Sequence, residues 1–386
     1  MVTLDLRSIK AIDVHAHPYL LSSTPLSVVD FVQKLSLSVI PDMFKETTRT
    51  NPKLPFPGTN MYMQITIQRL AKFFACEPIA EEVVAHRNRL VHDPAAYTQS
   101  LFRDANLAGH LLDFGYPQPP LSKEDYDQLT GVPSWEIYRI EPVMVRLREQ
   151  HADFGGFIEA YRAELRDALK NNDMLGLKSI IAYRSGLEIA PMDEAQARDD
   201  YPHFRSDSRA KAKALRDYCL HVAMEECQLA DKVMHIHTGV GDGEVILPKA
   251  SPSFLLDMLR DKKHVETKVH LVHGGYPWIE EAAFITSILP HVYMDISLQN
   301  PFIGHGVERI LSQVFEFAPF NKVMYGSDAF TCPEMNWLGV HLFKECFARV
   351  LDGWIERDYI DQDVAYHIAE GVLYKNFEEV YPSTKS

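Results

Sequence analysis

The chain has 386 residues, 46% of them apolar and 24% charged, with a formal net charge of −14. That length suits two average domains or one large α/β barrel. The acidic balance argues against nucleic acid and anionic membrane as main partners, yet it admits an anionic small molecule, because a metal ion and local arginines reverse the field inside a pocket.

No run of about 18 apolar residues suggests a membrane span. Met1–Lys10 lacks the apolar core of a signal peptide. The five cysteines, Cys76, Cys219, Cys227, Cys332 and Cys346, include no C-x-x-C pair. Reduced thiols and a cytoplasmic location are the expectation.

Ala11–His15 reads as the first strand. It runs into His15-Ala16-His17. Residues two apart on a strand share a face, so the two imidazoles project together, about 6.6 Å apart at Cα. That suits two ligands of one transition metal ion. Residues 18–106 read as a helical insertion over one end of the fold, with helices at Met61–Phe74 and Ile79–Arg89 and a proline-rich segment at Asn51–Gly58. Ala108–Phe114 and Glu136–Glu141 are candidate second and third strands. A helix over Phe154–Lys170 precedes a strand over Leu175–Tyr183.

The rest alternates regularly. Helix Ser208–Ala230 leads to strand Lys232–His237, and Ser251–Lys263 to Val269–His273. Pro277–Leu289 leads to His291–Ile296, and Val307–Phe317 to Lys322–Ser327. Helices over Glu334–Val350 and Asp361–Glu379 close the chain. Strands separated by single helices imply a parallel sheet with right-handed crossovers. Eight of them match a (β/α)8 TIM barrel with a helical insertion after strand 1, and residues 1–386 read as one domain. An open doubly wound sheet is the alternative, but no glycine-rich phosphate loop follows the first strand.

In such a barrel the catalytic groups sit at the C-terminal ends of the strands. His15 and His17 close strand one, His237 strand five, His273 strand six and Asp328 strand eight. Each follows an apolar run and precedes a turn. Packing alone does not call for metal-ligand residue types at four strand ends.

With IDVHAH, HIHTG, LVHGG and YGSDA in place, the chain resembles the amidohydrolase superfamily over nearly its whole length. More narrowly, it is similar to the amidohydrolase-related (amidohydrolase 2) subset, which includes aminocarboxymuconate-semialdehyde decarboxylase, uronate isomerase and the amidohydrolase-like domain fused to glutamine synthetase. LKSIIAYRSGL and QLADKVMHIHTGVGD look most like the last of these. The resemblance implies one divalent metal ion, usually Zn2+, held by His15, His17, His237 and Asp328, with His273 beside it against the substrate or the attacking water.

The chemistry of these residue types agrees. Three imidazoles and a carboxylate suit zinc, and also Mn2+ or Fe2+. Such a metal acidifies water and polarises a carbonyl. Asp328 is placed to carry a proton to the leaving group, and His273 to stabilise an oxyanion. His235 shares a face with His237, but His237 lies nearer the strand end and is preferred. Lys178 is expected near the start of strand four, in the barrel floor beside Glu141 or Asp295. That position is too far from the strand end to bridge two metals. Arg184 is expected to clamp a substrate carboxylate. Asp242 and Tyr276 are further substrate-side candidates, Tyr276 with Trp278 as an apolar wall, and Tyr19 and Arg139 are weaker ones.

The expected function is hydrolysis of an amide, ester or lactone bond of a small molecule by metal-activated water. A non-hydrolytic decarboxylase on the same site is the first rival, and a non-catalytic scaffold barrel the second. A homodimer is compatible with this fold.

Overall fold

A computed structural model describes residues 4–37, 60–115 and 121–384. Its centre is an eight-stranded parallel sheet whose order follows the chain. The strands are β1 (Ala11–Ala16), β2 (Leu107–Asp113), β3 (Ser134–Arg139), β4 (Met174–Ser179), β5 (Val233–His237), β6 (Val269–Val272), β7 (Val292–Asp295) and β8 (Val323–Met324). Backbone hydrogen bonds bring the end of β8 back to β1: Val14 N donates to Tyr325 O (3.0 Å), Asp328 N to His15 O (2.8 Å) and His17 N to Ala329 O (2.7 Å). The (β/α)8 barrel is thereby closed.

The strands face two ways. Met174, Leu177, Met234, Val269 and Leu271 pack outward into the main core with the surrounding helices. Ile12, Val14, Leu111, Ile137, Leu175, Val233 and Met324 form a second cluster inside the barrel, sealed at the floor by Phe377, Val380 and Tyr381 near the C-terminus.

Strand β1 carries a bulge that matters for the site. Asp13 pairs with His110 and Ala16 with Leu112, so three steps of β1 oppose two of β2. The extra residue reverses the alternation. Ile12 and Val14 face inward below it, and His15 and His17 face inward above it.

Helix starts follow local chemistry. Asn60 caps the helix Met61–Phe74 by accepting from Met63 N, and Asp93 caps Pro94–Ala105 by accepting from Ala96 N. The described part of the insertion grips the flank of the long helix Pro333–Glu356. Buried Arg87 Nε meets Glu334 Oε1 at 2.6 Å, Tyr97 donates to the same oxygen at 2.8 Å, and Trp337 Nε1 donates to Asp104 Oδ2 at 2.7 Å. The expected proline-rich segment Asn51–Gly58 lies outside the described residues.

Four expectations are corrected. β4 stops at Ser179, because Ile181–Tyr183 form a 3-10 turn rather than more strand. Glu141 belongs to the first turn of the helix Ile140–Gln150, where it accepts from Ser179 Oγ (2.7 Å) and Ile180 N (2.8 Å). The helix expected from Ser208 begins at Lys213, which leaves 208–212 as a loop. Ser251–Lys263 is a 3-10 turn followed by the short helix Leu256–Arg260. At β4 the apolar pattern runs on through Ile181–Tyr183 across a backbone turn that only packing decides.

Candidate metal centre and active site

The C-terminal ends of the strands surround a cavity of about 360 Å³. Asp328 Oδ1 lies 3.5 Å from His15 Nε2 and 3.3 Å from His17 Nε2. Among the described residues, His15, His273 and Asp328 bring one ligand atom each within 4.8 Å of one another. The His237 ring stands 4.5 Å from that of His273, centroid to centroid, and also lines the cavity. His273 and Asp328 both have left-handed backbone, with φ of 69° and 56°. Such conformations are uncommon outside glycine and concentrate at functional sites.

The second nitrogens of these rings show which way the first ones face. His17 Nδ1 lies 3.0 Å from Asp113 O, a carbonyl that can only accept, so the ring donates there and turns Nε2 toward Asp328. His273 Nδ1 lies 2.8 Å from Ser297 Oγ, and Ser297 Oγ donates to Asp295 Oδ1 at 2.5 Å. Asp295 also accepts from the amides of His273 (3.0 Å) and Ser297 (2.7 Å), and its Oδ2 lies 2.8 Å from His270 Nε2. Burial opposes ionisation of Asp295, but His270 and Ser297 hold its carboxyl below the usual range. With the single Ser297 hydrogen committed to a carboxylate, Ser297 Oγ accepts from His273 Nδ1–H, and the His273 lone pair is on Nε2.

Burial also keeps three of these imidazoles neutral. It pushes His15, His237 and His273 well below the usual histidine value, with the Lys178 ammonium adding to the effect on each. His237 Nε2 lies 3.1 Å from Val240 O, so the carbonyl takes its N–H and the lone pair is on Nδ1. The chain can turn there because Gly239 has φ 74°, where a Cβ would come within 2.3 Å of Tyr276 O.

The group His15, His273 and Asp328 fits a divalent cation, and His17 and His237 are not part of that group. Asp328 Oδ1 is buried and accepts no hydrogen bond. A desolvated carboxylate oxygen facing imidazole lone pairs is unfavourable until a positive charge enters between them. The other nitrogens of His17 and His273 donate to oxygen, as is usual for metal-ligating histidines.

Lys178 departs from its expected place. With β4 ending at Ser179, it sits at the mouth, its Nζ 3.3 Å from His15 Nε2. Burial lowers its ammonium to about 8. Its expected partners serve elsewhere, Glu141 at Ser179 and Asp295 beneath His273.

His235 lies one layer below the cavity, stacked on His270 and 3.1 Å from Tyr381 Oη. Arg139 lines the cavity but is held by Asp113, with Nε at 2.9 Å and Nη2 at 2.5 Å from one oxygen. Arg184 and Asp242 line the cavity. Tyr276 is not among its lining residues and braces the strand-five loop by accepting from Val240 N (2.8 Å). Tyr19 is buried and donates to Asn336 Oδ1 at 3.0 Å. Tyr183, Arg209 and Glu244 also face the cavity, and no local motif marks them in the sequence.

No helix among the described residues is long and apolar enough to cross a membrane. The profile of the Amidohydrolase family matches residues 159–382. Protein fluG of Emericella nidulans is 25% identical over 239 residues, which is 58% of this chain and 27% of that protein, so the chain spans about a quarter of its curated relative.

Among solved structures, a candidate metal-dependent hydrolase from Lactobacillus casei superposes over 100% of both chains with a TM-score of 0.85 and 21% identity. The glucuronate isomerase of Caulobacter crescentus (TM-score 0.68, 14% identity) covers 98% of this chain and 92% of its own. The uronate isomerase of Thermotoga maritima (0.66, 14%) covers 97% and 95%. At these identities the likeness concerns the fold.

Proposed function

Because the chain belongs to the amidohydrolase family, we propose that it is a metal-dependent hydrolase that cleaves an amide, ester or lactone bond of a small molecule. The observation that carries the reading is the buried Asp328 Oδ1, which accepts no hydrogen bond and faces the Nε2 atoms of His15 and His17 at the open end of the cavity.

His15, His17, His237 and Asp328 would hold one divalent metal ion, Zn2+ by the preference of the donor set, with Mn2+ and Fe2+ as alternatives. When bound, it would acidify a water and polarise the scissile carbonyl. His273 Nε2 and the Asp328 carboxylate are the two bases beside that water. His273 takes its proton, and the Asp295–Ser297 pair on Nδ1 supports the imidazolium. Once protonated, Nε2–H donates to the oxygen on which charge develops. Asp328 would take the second proton of that water as the new C–O bond forms and pass it to the leaving nitrogen or oxygen. Neutral His273 is thus an acceptor first and an oxyanion donor only after that transfer.

Elemental analysis of the purified protein, joined to a screen of dipeptides, N-acyl amino acids, lactones and aromatic carboxylates in ¹⁸O-water, tests the reading. One equivalent of metal and label in a product acid are expected. Carbon dioxide release without label would establish the decarboxylase instead, and a protein that takes up no metal would establish the scaffold. His237→Ala is expected to lose metal and His273→Ala to keep it; the reverse would exchange their roles.

A further inference from the structure

The cavity wall away from the histidines carries two guanidinium groups that share one carboxylate. Arg184 Nη1 lies 3.8 Å and Arg209 Nη1 3.2 Å from the same oxygen, Glu244 Oε2. Resting on the reading above, that the cavity is the substrate site, we propose that the substrate carries a second carboxylate, remote from the bond that breaks, and that Arg184 and Arg209 receive it in exchange for Glu244.

Three observations carry this. The first is charge: among the described residues two guanidiniums lie within 4 Å of one carboxylate oxygen. Arg139, the other arginine on the cavity among the described residues, is already held by Asp113. The cluster is tight enough to be felt by its neighbour Arg216, which burial, and then Arg184, hold below the usual arginine value.

The second is preorganisation. Arg209 lies on the loop 208–212, and buried Arg216 pins that loop by donating to Ser208 O (2.9 Å), Ala210 O (3.0 Å) and Lys211 O (3.0 Å). Glu244 is presented from the facing loop by an Asp242 turn: Glu244 N donates to Asp242 Oδ1 (2.8 Å), and Asp242 N to Tyr183 Oη (3.3 Å). Asp242 shapes this turn.

The third is exchangeability. The Arg209 and Glu244 side chains are 66% and 55% exposed, whereas Arg184 is 22% exposed. An exposed pair of this kind contributes little, so a ligand carboxylate displaces it at small cost. A planar fork on each side then offers it charge-assisted hydrogen bonds.

Calorimetric titration of the Zn2+-loaded protein with dicarboxylates from malonate to adipate, each against the monocarboxylate of equal length, tests the proposal. At least one dicarboxylate is expected to bind about tenfold tighter than its partner. Arg184→Met and the exposed Arg209→Met should each reduce that preference, and the double variant should abolish it. Glu244→Gln should strengthen dicarboxylate binding severalfold and leave monocarboxylates unchanged. A preference below about threefold throughout, or one that survives the double substitution, overturns the clamp.

Metal content on the same preparations separates the two readings. Full metal without dicarboxylate preference sinks the clamp alone. An arginine-dependent preference in a protein that holds no metal supports the clamp and sinks the metal reading.

Discussion

The floor and the mouth of the barrel are built from the same strands and obey opposite rules. At the floor, Ile12, Val14, Leu175, Val233 and Met324 meet Phe377 and Val380, and the interior is closed by apolar contact. A few residues further along, β1, β5 and the segment after β8 deliver His15, His17, His237 and Asp328, two ends carry left-handed backbone, and Asp328 Oδ1 is buried without a donor. Stability is concentrated at one end and tension at the other. The rigid floor lets the mouth hold neutral imidazoles and a bare carboxylate oxygen in one geometry.

The comparison can be broken from either side. The largest effect is expected at the mouth: Asp328→Asn should lower kcat about 10³-fold while the melting temperature of the metal-free protein stays the same or rises, since a charge buried without a donor is lost. Steady-state kinetics and calorimetry check both halves, and an unchanged kcat would remove Asp328 as proton carrier.

The counterpart is at the floor, where Phe377 packs 5.1 Å from the Trp135 ring and 4.8 Å from Tyr381. Phe377→Ala should cost roughly 3–5 kcal/mol of stability and leave turnover per folded molecule unchanged. A matched loss of turnover in fully folded protein would show that the two ends are not independent.

Asp295→Asn sharpens the boundary between them. It removes the ionised acceptor that commits the Ser297 hydrogen and, through it, the His273 tautomer. A fall in kcat of about 10²-fold with little change in KM is expected, together with altered His273 ring-nitrogen shifts in ¹⁵N NMR. Normal shifts with lowered activity would move the role of Asp295 elsewhere.

The smallest effect lies outside the barrel, on the outward face of β2. His110 sits between the Phe102 and Tyr126 rings with neither nitrogen hydrogen-bonded, and burial lowers it from 6.5 to about 3. Its folded pKa is depressed, so between pH 6.5 and 3 the unfolded chain holds the extra proton and stability falls as the pH drops. At pH 5 the loss is roughly 2 kcal/mol. Denaturant titrations should show His110→Leu losing that much less than the wild type between pH 7 and 5, and equal losses would exclude this histidine from the acid response.

Much of the site was legible because it obeys local rules. His15, His17, His237, His273 and Asp328 each end an apolar run, and a parallel barrel gathers its strand ends at one mouth whatever the loops do. At β4 the backbone turned without a change in hydropathy. Ile181–Tyr183 continues the apolar run of β4 but folds into a 3-10 turn, so Lys178 comes to the mouth instead of the floor. Arg209 sat inside what looked like a helix, and its loop is held by Arg216, a contact with no sequence signature.

The sequence by itself determined the strand–helix alternation, the parallel barrel and the histidines and carboxylate at its strand ends, because hydrophobic periodicity and strand polarity are local properties. The tertiary structure alone decided which nitrogens of His17, His237 and His273 donate to oxygen, that the β1 bulge keeps Val14 and His15 on one side, and that two arginines share Glu244. Those features depend on hydrogen-bond partners and register between segments far apart in the chain, where pattern carries no information.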